Sequence, residues 1–91
     1  MEFEWDPAKA EHNLAKHGVT FGYATRAFDD PHRLDLEDRR RDYGEGRRVA
    51  LGKIKARVFA VAYTLRNDVI RLISARKANP REQRQYYDEA F

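Results

Sequence analysis

The stretch Val58-Phe59-Ala60-Val61-Ala62-Tyr63-Thr64-Leu65-Arg66, then Asn67-Asp68, then Val69-Ile70-Arg71-Leu72-Ile73-Ser74-Ala75-Arg76 decides the fold class. Its first run is apolar on both faces, as a strand in the middle of a sheet is. Asn67-Asp68 suits a two-residue hairpin turn, which would pair Arg66 with Val69 and return the chain along Val69 to Arg76. Pleat alternation then sets Arg71 and Ile73 on the face of Arg66, with Ser74 and Arg76 on the other. Only a bulge or the strand end would bring Arg76 back to the side of Arg66.

Working outward, Arg33 to Glu37 alternates polar with apolar, as a strand with one wet face does. Asp42 to Gly46 supplies turn residues, Arg48 to Gly52 reads as a second strand, and Lys53 to Arg57 as a charged turn. Downstream, Asn79-Pro80-Arg81-Glu82 combines a cap, a first-position proline and a third-position carboxylate, the start signal of a last helix. Tyr87 and Phe91 lie four apart on that helix and are expected to pack on the sheet, leaving Tyr86 to face a groove. At the other end, Phe3-Glu4-Trp5 suits a short strand. Asp6-Pro7 starts a helix that Gly18 stops after His17, with Leu14 the only large aliphatic of a thin buried stripe. Thr20 caps a second helix, Phe21 to Phe28, closed by Asp29-Asp30-Pro31. The expected class is α+β: two N-terminal helices and a C-terminal helix on an antiparallel four-stranded sheet, residues 1–91 forming one domain.

The charge is uneven along this plan. Residues 1–46 hold seven basic and eleven acidic groups, 47–81 ten basic and one acidic (Asp68), and 82–91 one basic and three acidic. The balances of −4, +9 and −2 sum to the net +3. A basic centre between acidic ends favours a polyanion such as nucleic acid over a neutral small molecule. The chain has no cysteine, which excludes disulfide scaffolds, thiol nucleophiles and cysteine zinc sites. Its longest apolar run is far short of a membrane span, and its acidic N-terminus is unlike a secretory signal. The cytoplasm is the expected location, with no membrane partner.

Conventional sites find little material. His12 and His17 are five apart and leave a single helix face, so the histidines read as solvated side chains, with no metal and no cofactor expected. Gly44 and Gly46 lack the following helix of a phosphate loop, and Ser74 is the only serine. What remains is arginine in strands, which composition reads equally as a functional patch or a solvated face. A functional patch leads to a mechanism. RNA carries its own nucleophile, the 2′-OH. A metal-free ribonuclease then needs charge on the scissile phosphate, a group taking the 2′ proton and a group protonating the leaving 5′ oxygen. Arginine fits the first role through its fork and permanent charge. Glu82, Tyr86, Lys53 or an arginine is left for the others.

The C-terminal half resembles the BrnT toxin family in Arg48 to Gly52, Val61 to Arg66, Arg71-Leu72-Ile73-Ser74-Ala75-Arg76-Lys77-Ala78, Glu82 and Tyr86. The opening Phe3 to Pro7, with Lys9-Ala10, Asn13-Leu14, Lys16 to Val19, Phe21 and Ala24, is similar to that family's as well. The resemblance covers nearly the whole chain and implies a RelE/ParE-like fold. It implies a ribonuclease toxin that halts translation in a bacterial type II toxin–antitoxin pair. The implied partners are RNA, a BrnA-like ribbon-helix-helix antitoxin, and operator DNA through the toxin–antitoxin complex. It puts catalysis on Arg66, Arg76, Glu82 and Tyr86, and RNA binding on Arg71, Lys53 and Lys55. The turn Lys53-Ile54-Lys55-Ala56-Arg57 is more basic than the family's glycine-rich turn. Two other readings use the same features: a nucleic-acid-binding module without chemistry, and a ParE-like toxin that poisons a protein.

Overall fold

A computed structural model describes residues 1–38 and 46–90. The chain forms β1 (Glu2–Glu4), α1 (Pro7–His17), α2 (Phe21–Ala24), a 3₁₀ segment (Thr25–Asp29), β2 (Leu34–Glu37), β3 (Arg47–Ile54), β4 (Arg57–Arg66), β5 (Val69–Lys77) and α3 (Pro80–Ala90). The strands make one five-stranded sheet in the order β1-β5-β4-β3-β2, with β4 in the centre. The class is α+β, but the expected four-stranded antiparallel sheet is corrected: β1 adds a fifth strand and pairs with β5 in parallel. The second N-terminal helix is also not continuous, because one α-helical turn tightens into the 3₁₀ segment after Ala24. The expected turn at Asp42–Gly46 falls largely outside the described residues.

Local signals account for the helix ends. The Asp6 carboxylate accepts from the Ala8 N–H at 3.0 Å, and Gly18 at φ 70° donates its N–H to the Leu14 carbonyl. Thr20 accepts from the Tyr23 N–H at 3.1 Å. Asn67 and Asp68 both have positive φ, and Arg66 pairs with Val69 as the two-residue turn requires. The turn after β3 is shorter than the charged run suggested: β3 continues to Ile54 and β4 starts at Arg57. Gly52 therefore lies inside a strand, where an added Cβ would sit 2.3 Å from the Ala27 carbonyl oxygen. Its missing side chain lets the 3₁₀ segment lie directly on β3.

Two apolar layers flank the sheet. Phe21, Phe28, Phe59, Val61, Tyr63, Leu72 and Ala75 fill the one under α1, α2 and the 3₁₀ segment, while Leu51, Val58, Ala60 and Tyr86 fill the smaller one under α3. Helix α1 does not dock through Leu14, which is 47% exposed; Asn13 is the buried residue, at 3%. The β5 edge beyond β1 offers unpaired backbone groups, and the Asn13 amide meets them as a strand would. It accepts from the Ala75 N–H at 3.0 Å and donates to the Ala75 carbonyl at 2.9 Å. Its second amide hydrogen goes to the Val19 carbonyl, also at 2.9 Å. A polar side chain thus closes an edge that would otherwise be open to another strand.

Candidate active site

A register shift decides what the sheet presents to α3. Ala60 pairs with Arg76 and Ala62 with Ser74, but Tyr63 pairs with Leu72 and Thr64 with Arg71. Ile73 is the extra residue of a bulge, and parity reverses across it. The face assignment from plain alternation is corrected accordingly. Residues directly opposite share a face, so Arg66, Arg71, Ser74 and Arg76 all join Val58 and Ala60 on the α3 side. Arg47, opposite Thr64, is on that face too.

Position along the strands still separates them. Arg66 is six residues along β4 from Ala60, the partner of Arg76, or roughly 20 Å at the strand rise. Arg71, opposite Thr64, is four residues along, roughly 13 Å. Arg71 also lies 3.6 Å from the carboxylate of Glu4 on β1. The two arginines share a face with Arg76 without meeting it.

Arg76 and Glu82 do meet. The guanidinium donates through Nη1 to Glu82 Oε1 at 2.6 Å and through Nη2 to Oε2 at 2.9 Å, a bidentate fork. The same carboxylate accepts from the Asn79 N–H at 2.9 Å, and Asn79 Oδ1 accepts from the Glu82 N–H at 2.8 Å. That reciprocal box is the start of α3 that the sequence signalled. One side chain thus caps the helix and orients the arginine. The pair borders a cleft of about 380 Å³ whose floor includes Val49 and Leu51 and whose α3 wall adds Arg81 and Gln85. Arg81 and Gln85 escaped the sequence reading, although Gln85 lies three residues from Glu82 and four from Arg81, the spacings that bring helical side chains together.

The tyrosines exchange their expected places. Tyr86 is buried at 1% exposure and Tyr87 is 41% exposed, so Tyr86 packs inward and does not face the cleft. Phe91, on which the opposite expectation rested, lies outside the described residues. The Tyr86 hydroxyl donates to Asp30 Oδ2 at 2.5 Å. Burial first, and then this bond, hold the phenol well above its ordinary pKa. Asp30, read in the sequence only as part of a helix stop, is a junction of three elements. It also accepts from the N–H of Lys53 at 2.8 Å and of His32 at 2.9 Å. Burial alone would raise its pKa, but the Tyr86 hydroxyl and the two N–H groups bring it below the ordinary 3.8.

Lys53 lies on the far flank of α3, its ammonium 5.3 Å from the centre of the Tyr87 ring. Lys55 sits in the following turn at φ 56°. Both border a second cavity of about 350 Å³ beside Asp29 and Asp30. The expectation of three solvated histidines fails for His17, which is half-buried. Burial lowers its pKa from the ordinary 6.5, and the charges of Lys16, Arg76 and His12 lower it further. The fold thus brings an imidazole from the N-terminal helix near enough to Arg76 for that charge to act on it. Among the described residues, no group of three or more His, Cys, Asp or Glu is placed to hold a metal ion, and no helix is long and apolar enough to cross a membrane.

Chemically, the cleft offers a forked cation for a phosphate and a carboxylate able to take a proton, held together before any ligand arrives. A family model described as "Ribonuclease toxin, BrnT, of type II toxin-antitoxin system" matches residues 5–82. The matched span runs from Trp5, just before α1, to Glu82 in the first turn of α3, and includes the whole Arg76–Glu82 arrangement. No curated protein gives a significant match to the chain.

Proposed function

The chain belongs to the BrnT family, the ribonuclease toxins of type II toxin–antitoxin systems, and from that premise we propose that it cuts RNA without metal in the cleft beside α3 and so halts translation. The observation that carries this reading is the bidentate Arg76–Glu82 pair at the cleft wall. A scissile phosphate entering the cleft competes with Glu82 for the Arg76 fork, which suits phosphate oxygens as well as carboxylate oxygens. Released from the arginine, Glu82 takes the proton of the 2′-OH. The 2′ oxygen forms its bond to phosphorus, the bond to the 5′ oxygen breaks, and the leaving oxygen takes a proton from solvent. The products are a 2′,3′-cyclic phosphate and a free 5′-OH, and no step requires a bound metal.

The other candidates take supporting roles. Arg66 and Arg71 contact phosphates of the strand further along the same face, and Lys53 and Lys55 do so on the far flank of α3. Tyr86 acts from beneath, anchoring α3 to Asp30 and thereby placing Glu82. A type II toxin has an antitoxin partner, here a BrnA-like ribbon-helix-helix protein that covers the basic face and carries the complex to operator DNA. The fold is of RelE/ParE type, and the toxin works as a single domain in the cytoplasm.

Purified protein incubated with RNA in excess chelator tests the chemistry. Cyclic-phosphate ends are expected, with a loss of about 10²–10³ in rate for Arg76→Ala, the scale for removing one electrostatic stabiliser. Cleavage that needs added metal, or that survives Arg76→Ala, would overturn the assignment. Growth arrest with intact transcripts would favour a poisoned protein target instead.

A further inference from the structure

A third cavity, of about 430 Å³, opens between α1 and the bulged half of β5 and belongs to none of the roles above. Lys9, His12, Lys16 and His17 line it from α1, with Ile73 and Ser74 beneath and Arg47 reaching it from β3. Among the described residues that line it there is no carboxylate. The cavities beside Asp29 and Asp30, beside Glu37 and Asp38, and beside Asp88 and Glu89 all have them. The bulge makes it, since the extra residue Ile73 and its neighbour Ser74 form the floor. A second observation lies alongside. Thr64, opposite both Arg47 and Arg71, is 3% exposed, and its hydroxyl has no hydrogen-bond partner among the described residues. Its place in the register puts it on the same face, between two arginines.

The cavity and the proposed cleft are lined by different residues but neighbour each other along β5. Ser74 is two residues from Arg76 on the same face, and His17 in the cavity wall lies within the field of Arg76. An apolar floor suits a base, and a rim of lysines suits the phosphates on either side of it.

We propose that this cavity is a second nucleotide subsite, holding a phosphate-flanked residue of the single-stranded RNA whose scissile phosphate lies at Arg76. The inference rests on the ribonuclease reading and adds a direction to it: the strand leaves the α3 cleft across Ser74 toward α1. Single-stranded RNA is favoured over an acidic protein segment because an apolar floor suited to a base lies within a cationic rim suited to phosphates.

The test measures binding of a 2′-O-methyl RNA, which cannot be cut, over a salt series, using a strand of about ten nucleotides and a trinucleotide. Lys9→Gln/Lys16→Gln removes two charges from the rim. Arg84→Glu makes the same change in net charge on an exposed part of α3, beside Asp88 and Glu89. The expected result is a salt slope for the long strand reduced by about 1.4 in the lysine variant, from two lost phosphate contacts. Most of the long strand's advantage over the trinucleotide is lost with it, whereas Arg84→Glu keeps that advantage. Equal effects in the two variants, or an unchanged length advantage in the lysine variant, overturn the proposal. A lysine variant that keeps wild-type RNA binding but no longer binds the antitoxin also overturns it and assigns the cavity to the protein partner. Wild-type protein that shows the length advantage but never cuts a cleavable strand removes the ribonuclease reading and leaves an RNA subsite. Wild-type protein without salt-sensitive RNA binding removes this proposal.

Discussion

Replacing Asn13 by alanine should be among the most damaging single changes in this chain, although no apolar contact of any size is lost. The side chain makes three hydrogen bonds at 2.9, 2.9 and 3.0 Å in a place only 3% exposed. At a net value of about 1 kcal/mol each, their loss amounts to about 3 kcal/mol. The substitution also strands the Ala75 N–H and carbonyl and the Val19 carbonyl, and each group left unsatisfied adds about 1 kcal/mol or more unless water reaches it. The expected loss is about 3–6 kcal/mol, against a total stability of about 5–14 kcal/mol for a chain of this length. Equilibrium urea unfolding measures it, and hydrogen exchange at the Ala75 amide localises it. Asn13→Asp separates bonding from packing. It keeps the shape and the acceptor for Ala75 N–H, but turns the one nitrogen that donates to both carbonyls into an oxygen facing them, so at neutral pH it should be as harmful as alanine. A loss below about 1 kcal/mol for Asn13→Ala, or wild-type stability for Asn13→Asp, would refute the hydrogen-bond account of how α1 is held.

Four further outcomes follow from other contacts. Tyr86→Phe keeps the buried ring but leaves Asp30 one donor short, and should cost about 2 kcal/mol by denaturant titration, the value for a hydrogen bond to a charged group. Asp30 has a folded pKa below its ordinary 3.8, so its contribution is fully present above about pH 4 and is lost as pH falls through the lower folded value. The stability gap between wild type and Asp30→Asn should therefore be constant at neutral pH and narrow only in acid; a gap that widens on acidification would contradict this. Gly52→Ala forces a Cβ to within 2.3 Å of a backbone oxygen and should destabilise by at least about 2 kcal/mol, the overpacking range. Glu82→Gln keeps an acceptor for the Asn79 N–H but cannot take the 2′ proton. It should retain α3 by circular dichroism while cleavage falls by about 10²-fold or more, and near-wild-type cleavage would remove Glu82 from the chemistry.

The features legible in the sequence are those whose cause is local. Asp6, Gly18, Thr20, Asn67-Asp68 and the Asn79–Glu82 box each act within a few residues, and each does in the structure what its residue type suggested. The features that escaped depend on distant partners. Nothing beside Ile73 marks a bulge, so simple alternation put Arg71 and Arg76 on opposite faces. β1 is three residues long, and its parallel partner lies at the other end of the chain. Periodicity favours Leu14 over Asn13 on α1, because it ranks side chains by apolarity and cannot see an edge sixty-two residues away that needs an amide. Asp30 met the same limit: a carboxylate beside a proline reads as a stop until Tyr86 and Lys53 arrive beneath it. In the candidate site, the family motif names Arg76 and Glu82, and the structure brings the two together. Arg66 was correctly placed on the face but lies far along it.

The bulge in β5 also changes what kind of mutation this protein is sensitive to. With Ile73 present, an ungapped ladder continued from Leu72 opposite Tyr63 would set Arg76 opposite Phe59 and turn it into the apolar layer beneath α1. The bulge absorbs the extra residue and keeps Arg76 on the α3 side. Deleting Ile73 removes the bulge but leaves Ser74 opposite Ala62 and Arg76 opposite Ala60, so both keep their faces. The side on which this charge stands is therefore set by the spacing along the strand and its one irregularity together: shortening β5 at Ile73 preserves it, and straightening β5 at full length reverses it.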